Sequence, residues 1–302
     1  MDIYDYENDE FNEIIVKLLL SENPVWISRF GGSDTDEYNI YLYQRIFTKN
    51  MIERIRKFNG FFCKDTSQNV EIFNKSVELY FKSLKNSDIV SICTQSYIDS
   101  YINKKQNTIG KPIVSYSWIE AFTPFFKSFK IWGENKKILV ISPFSETINY
   151  QTKKNRINNI LKFDFPNCKF VTYQSPITYN VDEYDSEYFK NVTNNYNDWI
   201  QLVEKMCNDI KNIDFDIAFI SAGIYTMYIG DYIKNIGKKS IYIGGMLNVL
   251  FNIYGARYDT PFFNQFINKE YQVDVMDNFH DLVSNNALYV KNEILGAYMR
   301  PK

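Results

Sequence analysis

The chain has 302 residues, with 34 Lys plus Arg against 36 Asp plus Glu, a formal net charge of -2 and an aromatic content of 17%. That length can bury a sizeable core without covalent staples, and the near-neutral balance offers no strongly basic domain for a phosphate backbone, so nucleic acid is not expected as a partner. Four cysteines (Cys63, Cys93, Cys168 and Cys207) without Cys-x-x-Cys spacing argue against a zinc ribbon or a dense disulfide framework and fit a reducing compartment.

The N-terminal ten residues are acidic and lead into no signal-like apolar run, and no segment approaches the ~18 apolar residues of a spanning helix. A soluble, cytoplasmic protein is expected. Residues 11–20 place Phe11, Ile14, Ile15, Leu18 and Leu19 on one helical face, and the helix stops before Pro24. The stretch 24–38 then reads as a buried strand (Val25, Trp26, Ile27, Phe30), a turn at Gly31-Gly32 and a helix start carrying Asp34, Asp36 and Glu37. Carboxylates at the carboxyl end of a strand stand where open α/β sheets bind ligands.

Further helix is predicted over 38–58 and 70–84, and a short strand over 88–94. A helix over 97–105 and an extended piece over 112–116 follow, then an aromatic-rich helix over 118–129 with a kink at Pro124. The run 137–144, Lys-Ile-Leu-Val-Ile-Ser-Pro-Phe, has the continuous apolar character of a strand covered on both faces, with a polar helix after it. A strand over 168–173 precedes the polar, acidic segment 176–197, read as a loop or lid. Helix 199–213, strand 216–222, helix 224–236, strand 240–243 and a helix running to about residue 254 complete the pattern. The tail 258–302 is aromatic enough to pack back on the body. Alternating strands and helices predict a Rossmann-like α/β architecture with a mostly parallel sheet, helices on both faces and one domain over 1–302.

Several residues could carry chemistry, each with a plainer reading beside it. Asp34-Thr35-Asp36 has a spacing that holds a divalent cation on a nucleotide diphosphate, with oxygen ligands suited to Mg²⁺ or Mn²⁺. The same acids satisfy helix-capping patterns with Ser33 and Glu37. Arg29 can grip a phosphate through its planar fork or pair with a nearby acid. Ser221 to Tyr225, with Ala222 and Gly223, and Gly244-Gly245 to Asn248 are small-residue strand-to-helix junctions where backbone N–H groups can receive a diphosphate or ribose, although glycines also simply end strands. Neither stretch matches the dinucleotide or P-loop glycine pattern. Glu146, after Ser142 and the Pro143-Phe144 turn, is a candidate general base or an ordinary first-turn acid. Cys93 and Cys168 lack an evident partner base, and His280, the only histidine, rules out multi-histidine metal sites.

Together, Ile27-Ser-Arg-Phe-Gly-Gly-Ser-Asp34, Val140-Ile-Ser-Pro-Phe-Ser-Glu146, 216–225, 237–255 and 293–298 resemble the GT-D fold family of glycosyltransferases used in polysaccharide and glycoprotein assembly. That resemblance implies transfer of a sugar from a nucleotide-diphosphate donor, a UDP-sugar favoured, to a glycan or other hydroxyl acceptor, with Mn²⁺ or Mg²⁺ as cofactor. It implies Asp34 and Asp36 at the metal, Glu37 or Glu146 as the base, and Arg29, Gly31, Gly32, Ser142, Ala222, Gly223, Tyr225, Gly244 and Gly245 around the donor. Family members carry Asp-x-Glu directly after Arg-Phe-Gly. Here Gly32 replaces the first acid and Asp34 matches the second, which leaves open whether Asp34 and Asp36 re-form the pair two residues later, a single carboxylate serves, or no metal is bound; a non-catalytic nucleotide- or sugar-binding or assembly protein is the alternative. A homo-oligomer is compatible with either.

Overall fold

The computed structural model describes residues 3–4, 9–30, 48–92, 113–114, 123–178 and 187–277. Its centre is one eight-stranded sheet in which every paired strand is parallel. In chain order the strands are β1 (Ile3–Tyr4), β2 (Val25–Phe30), β3 (Ile89–Ile92), β4 (Ile113–Val114), β5 (Lys137–Ser142), β6 (Lys169–Gln174), β7 (Ile217–Ile220) and β8 (Lys239–Tyr242). Across the sheet they run β1-β4-β3-β2-β8-β7-β5-β6. This is the α/β, Rossmann-like architecture that the alternation of elements predicts.

The helices are α1 (Asp9–Leu20), α2 (Lys49–Asn59), α3 (Asn69–Asn86), α4 (Thr123–Trp132), α5 (Ser145–Gln151), α6 (Glu187–Asn195), α7 (Trp199–Ile210), α8 (Tyr225–Asn235), α9 (Met246–Leu250) and α10 (Pro261–Asn264). Among the described residues no helix is long and apolar enough to cross a membrane. Apolar runs occupy the interior of the sheet, since Ile138 to Ile141 in β5 and Ile217 to Ile220 in β7 are all fully buried. Strands covered on both faces have no need of alternation. β6, at the edge, has half-buried residues between exposed ends.

Several predicted boundaries move for local reasons. Helix 38–58 becomes α2, because Thr48 is extended and its hydroxyl accepts from the Met51 N–H, which starts the helix at Lys49; residues 38–47 lie outside the described set. Pro124 falls in the first turn of α4, where a missing N–H costs nothing, so no mid-helix kink arises there. The final helix stops at Leu250 rather than near 254. Asn252 takes a left-handed φ of 51°, and its amide donates to the carbonyls of Ile160 and Asn268, both at 2.7 Å. The segment read as a lid, 176–197, contains the buried Ile177 and Thr178 and the helix α6. Its polar composition hides a short inward stretch next to Ser175, whose N–H donates to the Ser142 carbonyl.

A close contact joins β2 to α8. Trp26 is fully buried, and a Cβ built on Gly230 would lie 2.2 Å from its Cη2, so only glycine lets the helix seat on the indole. The indole N–H donates to Ser83 Oγ at 3.1 Å, and Ser83 Oγ donates to the Met227 carbonyl at 2.6 Å. Ser240 Oγ of β8 donates to the Gly230 carbonyl at 3.0 Å. At the other end of Trp26, its backbone N–H donates to Asp88 Oδ2 at 2.8 Å, and Lys234 Nζ of α8 meets Asp88 Oδ1 at 2.8 Å. Gly230→Ala gains about 1 kcal/mol of helix propensity but overpacks a filled core, which costs about 1–3 kcal/mol. The close approach decides the sign: urea denaturation is expected to show net destabilisation. The loss should shrink in the Trp26→Phe background, and simple additivity would mean that the two residues do not compete for space.

Candidate functional site

All the strands share one direction, so their carboxyl ends form one rim. Along it β5 turns through Pro143 and Phe144, β6 runs into Ser175 to Thr178, β7 turns through Ser221, Ala222 and Gly223, and β8 turns through Gly244 and Gly245. A cleft opens among these four turns, lined also by Asn59 at the end of α2 and by Tyr225 and Asn248. β5 connects outward to β6 through α5, while its neighbour β7 connects the opposite way to β8 through α8. With right-handed crossovers the two helices fall on opposite faces. The crevice between β5 and β7 is therefore a topological switch point, where sheets of this kind bind ligands.

The turns are held by specific bonds. Gly223 and Gly244 adopt φ of 55° and 62°, a backbone region that glycine enters without a Cβ penalty. The Ala222 N–H donates to Thr226 Oγ1 at 3.0 Å, and the Gly244 N–H donates to the Ile220 carbonyl at 3.0 Å, so these two amides are engaged inside the protein. Thr178 Oγ1 donates to the Gly60 carbonyl at 2.7 Å and receives the Tyr225 hydroxyl at 2.5 Å, and Ile224 N–H donates to the Asn59 carbonyl at 2.9 Å. These bonds tie the cleft's far wall to the start of α8. Two polar atoms behave differently. Ser175 Oγ and Asn248 Nδ2 are buried with no hydrogen-bond partner among the described residues; the two residues are 0% and 3% exposed.

Of the residues expected around the donor, Ala222, Gly223, Tyr225 and Gly245 line this cleft. Ser142 lies just behind it, its Oγ accepting from the Phe144 N–H at 3.2 Å. Arg29 is half-buried at the rim, its guanidinium 5.8 Å from the Tyr242 ring centre and 2.9 Å from where a Cβ on Gly244 would stand. Tyr225 is only 1% exposed and packs against Trp199, so it offers its edge rather than an open stacking face. Tyr228, half-buried on α8 near Cys207 of α7, is not among the lining residues, and burial first and Cys207 second raise its phenol. Gly31, Gly32, Asp34, Asp36, Glu37, Cys93 and His280, with the family-like segment 293–298, lie outside the described residues. Among the described residues no group of three or more His, Cys, Asp or Glu is placed to hold a metal ion. Cys168 is unsuited to nucleophilic attack, since burial first and Glu134 second push its thiol up to about 12.

Glu146 is exposed in the first turn of α5. Its N–H and that of Thr147 donate to the two oxygens of Asp277, at 2.8 and 3.1 Å, and the Thr147 hydroxyl donates to the same carboxylate at 2.6 Å. Asp277 is 2% exposed and caps this helix from 131 residues away in sequence. The α5 amides are therefore occupied by the protein's own anion. Sequence reasoning passed over Asp277, Asn59, Ser175 and Thr178. Ser175 was within reach of the rule that found Ser221, because it too follows a strand.

Asp277→Ala removes a charged acceptor from two backbone N–H groups and a hydroxyl. It is expected to cost about 2 kcal/mol in denaturant titration, with Asp277→Asn intermediate; an unchanged midpoint would show that the cap contributes nothing. No protein-family model, no curated protein and no solved structure matches this chain.

Proposed function

We propose that this chain is a glycosyltransferase that moves a sugar from a nucleotide-diphosphate donor, a UDP-sugar favoured, to a hydroxyl of a glycan acceptor. The observation that most supports the reading is the cleft at the β5/β7 switch point, walled by the Gly223 and Gly245 turns, with the Arg29 guanidinium beside Gly244. In this reading the donor lies across the carboxyl rim and Arg29 meets its diphosphate. Asp34 and Asp36, two hard oxygen donors, are the residues assigned to Mn²⁺ or Mg²⁺, which would offset charge on the leaving diphosphate. Glu37 or Glu146 takes the proton of the acceptor hydroxyl. A donor-binding protein without turnover is the second reading. The described cleft lining favours it in one respect, because it includes no carboxylate.

Thermal unfolding against UDP, GDP, CMP and dTDP and their sugar conjugates, with Mn²⁺, Mg²⁺ or chelator, tests both. A ligand at 100 times its Kd stabilises the native state by about 2.7 kcal/mol. One nucleotide is expected to raise the melting temperature only with metal, and Asp34→Asn or Asp36→Asn is expected to abolish the shift. Release of free nucleotide in the presence of a hydroxyl acceptor then separates transfer from binding alone. No shift with any nucleotide would sink both readings.

A further inference from the structure

None of the described residues lining the cleft is charged. Its walls are Pro143, Phe144 and Ile177 on one side and the glycine turns on the other, and its polar character comes from hydroxyls and amides. A phosphate would be poorly served there. Ser175 and Asn248 belong to its lining, and Ser175 Oγ and Asn248 Nδ2 are each buried and unpartnered among the described residues. Leaving a buried donor unsatisfied costs about 1–3 kcal/mol; Ser91 Oγ and Asn74 Oδ1 share that state elsewhere, but of such described residues only Ser175 and Asn248 line the cleft at the switch point. The hydroxyl both donates and accepts, and the amide nitrogen donates two protons. A neutral ring carrying carbonyl or hydroxyl oxygens matches that set, whereas a phosphate calls for the cation that stands at Gly244.

We infer that Ser175 and Asn248 read an uncharged, oxygen-bearing ring of the ligand, a pyrimidine base or a hexose, inside the cleft, while the phosphates remain outside it toward Arg29. The inference rests on the nucleotide-sugar reading and divides the donor between two compartments. The cleft supplies selectivity, because a site left with unpaired donors rejects a ligand that cannot satisfy them.

Asn248→Leu tests it, since a side chain of similar size removes the orphan donor. The unliganded variant is expected to melt at or above the wild-type temperature, yet to bind UDP-galactose about tenfold more weakly, the cost of one lost hydrogen bond to a fitted ligand. Inorganic pyrophosphate should bind wild type and variant alike and should be weakened by Arg29→Ala. Titrations with uridine and with free galactose identify the source: the one whose binding falls in Asn248→Leu is the ring in the cleft. If Asn248→Leu does not fold, Ser175→Ala carries the same comparison. Undiminished UDP-galactose affinity in these variants would mean that only water satisfies the two groups, and it would overturn the inference while leaving the donor reading intact. Failure of wild type to bind any of these probes would remove both.

Discussion

The seat of α8 on Trp26 fixes much of what surrounds it. Gly230 lies five residues into the helix from Tyr225, about 7.5 Å along its axis, so the depth to which the indole admits the helix sets the position of the Gly223 turn at the cleft. Trp26 stands three residues before Arg29, about 10 Å along β2. Its register against Ser240 of β8 carries Arg29 to the level of the Gly244 turn. One packing contact thus locates both the neutral wall and the cationic rim. The surrounding polar groups agree with it: Ser83 links the indole to the Met227 carbonyl, and Ser240 reaches the Gly230 carbonyl from the neighbouring strand. Buried polar atoms satisfied in this way specify one arrangement as well as stabilise it.

The two sides of the rim differ in how they are finished. At α5 the helix start is closed by Asp277, a carboxylate from the far end of the described chain, and no donor remains for an external anion on those amides. At β6 and α9 the opposite holds, since Ser175 Oγ and Asn248 Nδ2 are buried with no hydrogen-bond partner among the described residues. Natural proteins rarely tolerate such atoms. Other described atoms away from the cleft, Ser91 Oγ and Asn74 Oδ1 among them, share that state, so what sets Ser175 and Asn248 apart is their place in the lining at the switch point.

How much of this was legible in the sequence follows from the range of the interactions. The central strands declare themselves, because β5 and β7 are uninterrupted apolar runs whose burial is dictated by their own composition. Helix ends set by a neighbouring side chain, as at Thr48, are readable in principle. The ends set by tertiary contacts are not, and Asn252, which halts α9 by bonding Ile160 and Asn268, gives no local sign. The candidate site divides in the same way. Glycines at strand ends mark the rim, which is why Gly223 and Gly245 were found. The state of a hydroxyl or amide depends on which atoms from distant strands arrive beside it, so Ser175 could not be told from Ser142 by inspection. The two-residue strands β1 and β4 are too short to carry a period at all.

The charge distribution adds a constraint on how any ligand must lie. In a cleft whose described lining carries no formal charge, transferring an anion from water is opposed by desolvation, while an uncharged ring loses little. A molecule joining both chemistries is therefore oriented before any specific contact is considered, with its neutral end inward between β5 and β7 and its charge at the mouth. The mouth is also the level at which β2 ends beside Arg29. The described lining fits that division, since it holds hydroxyls, amides and apolar side chains and no charged side chain.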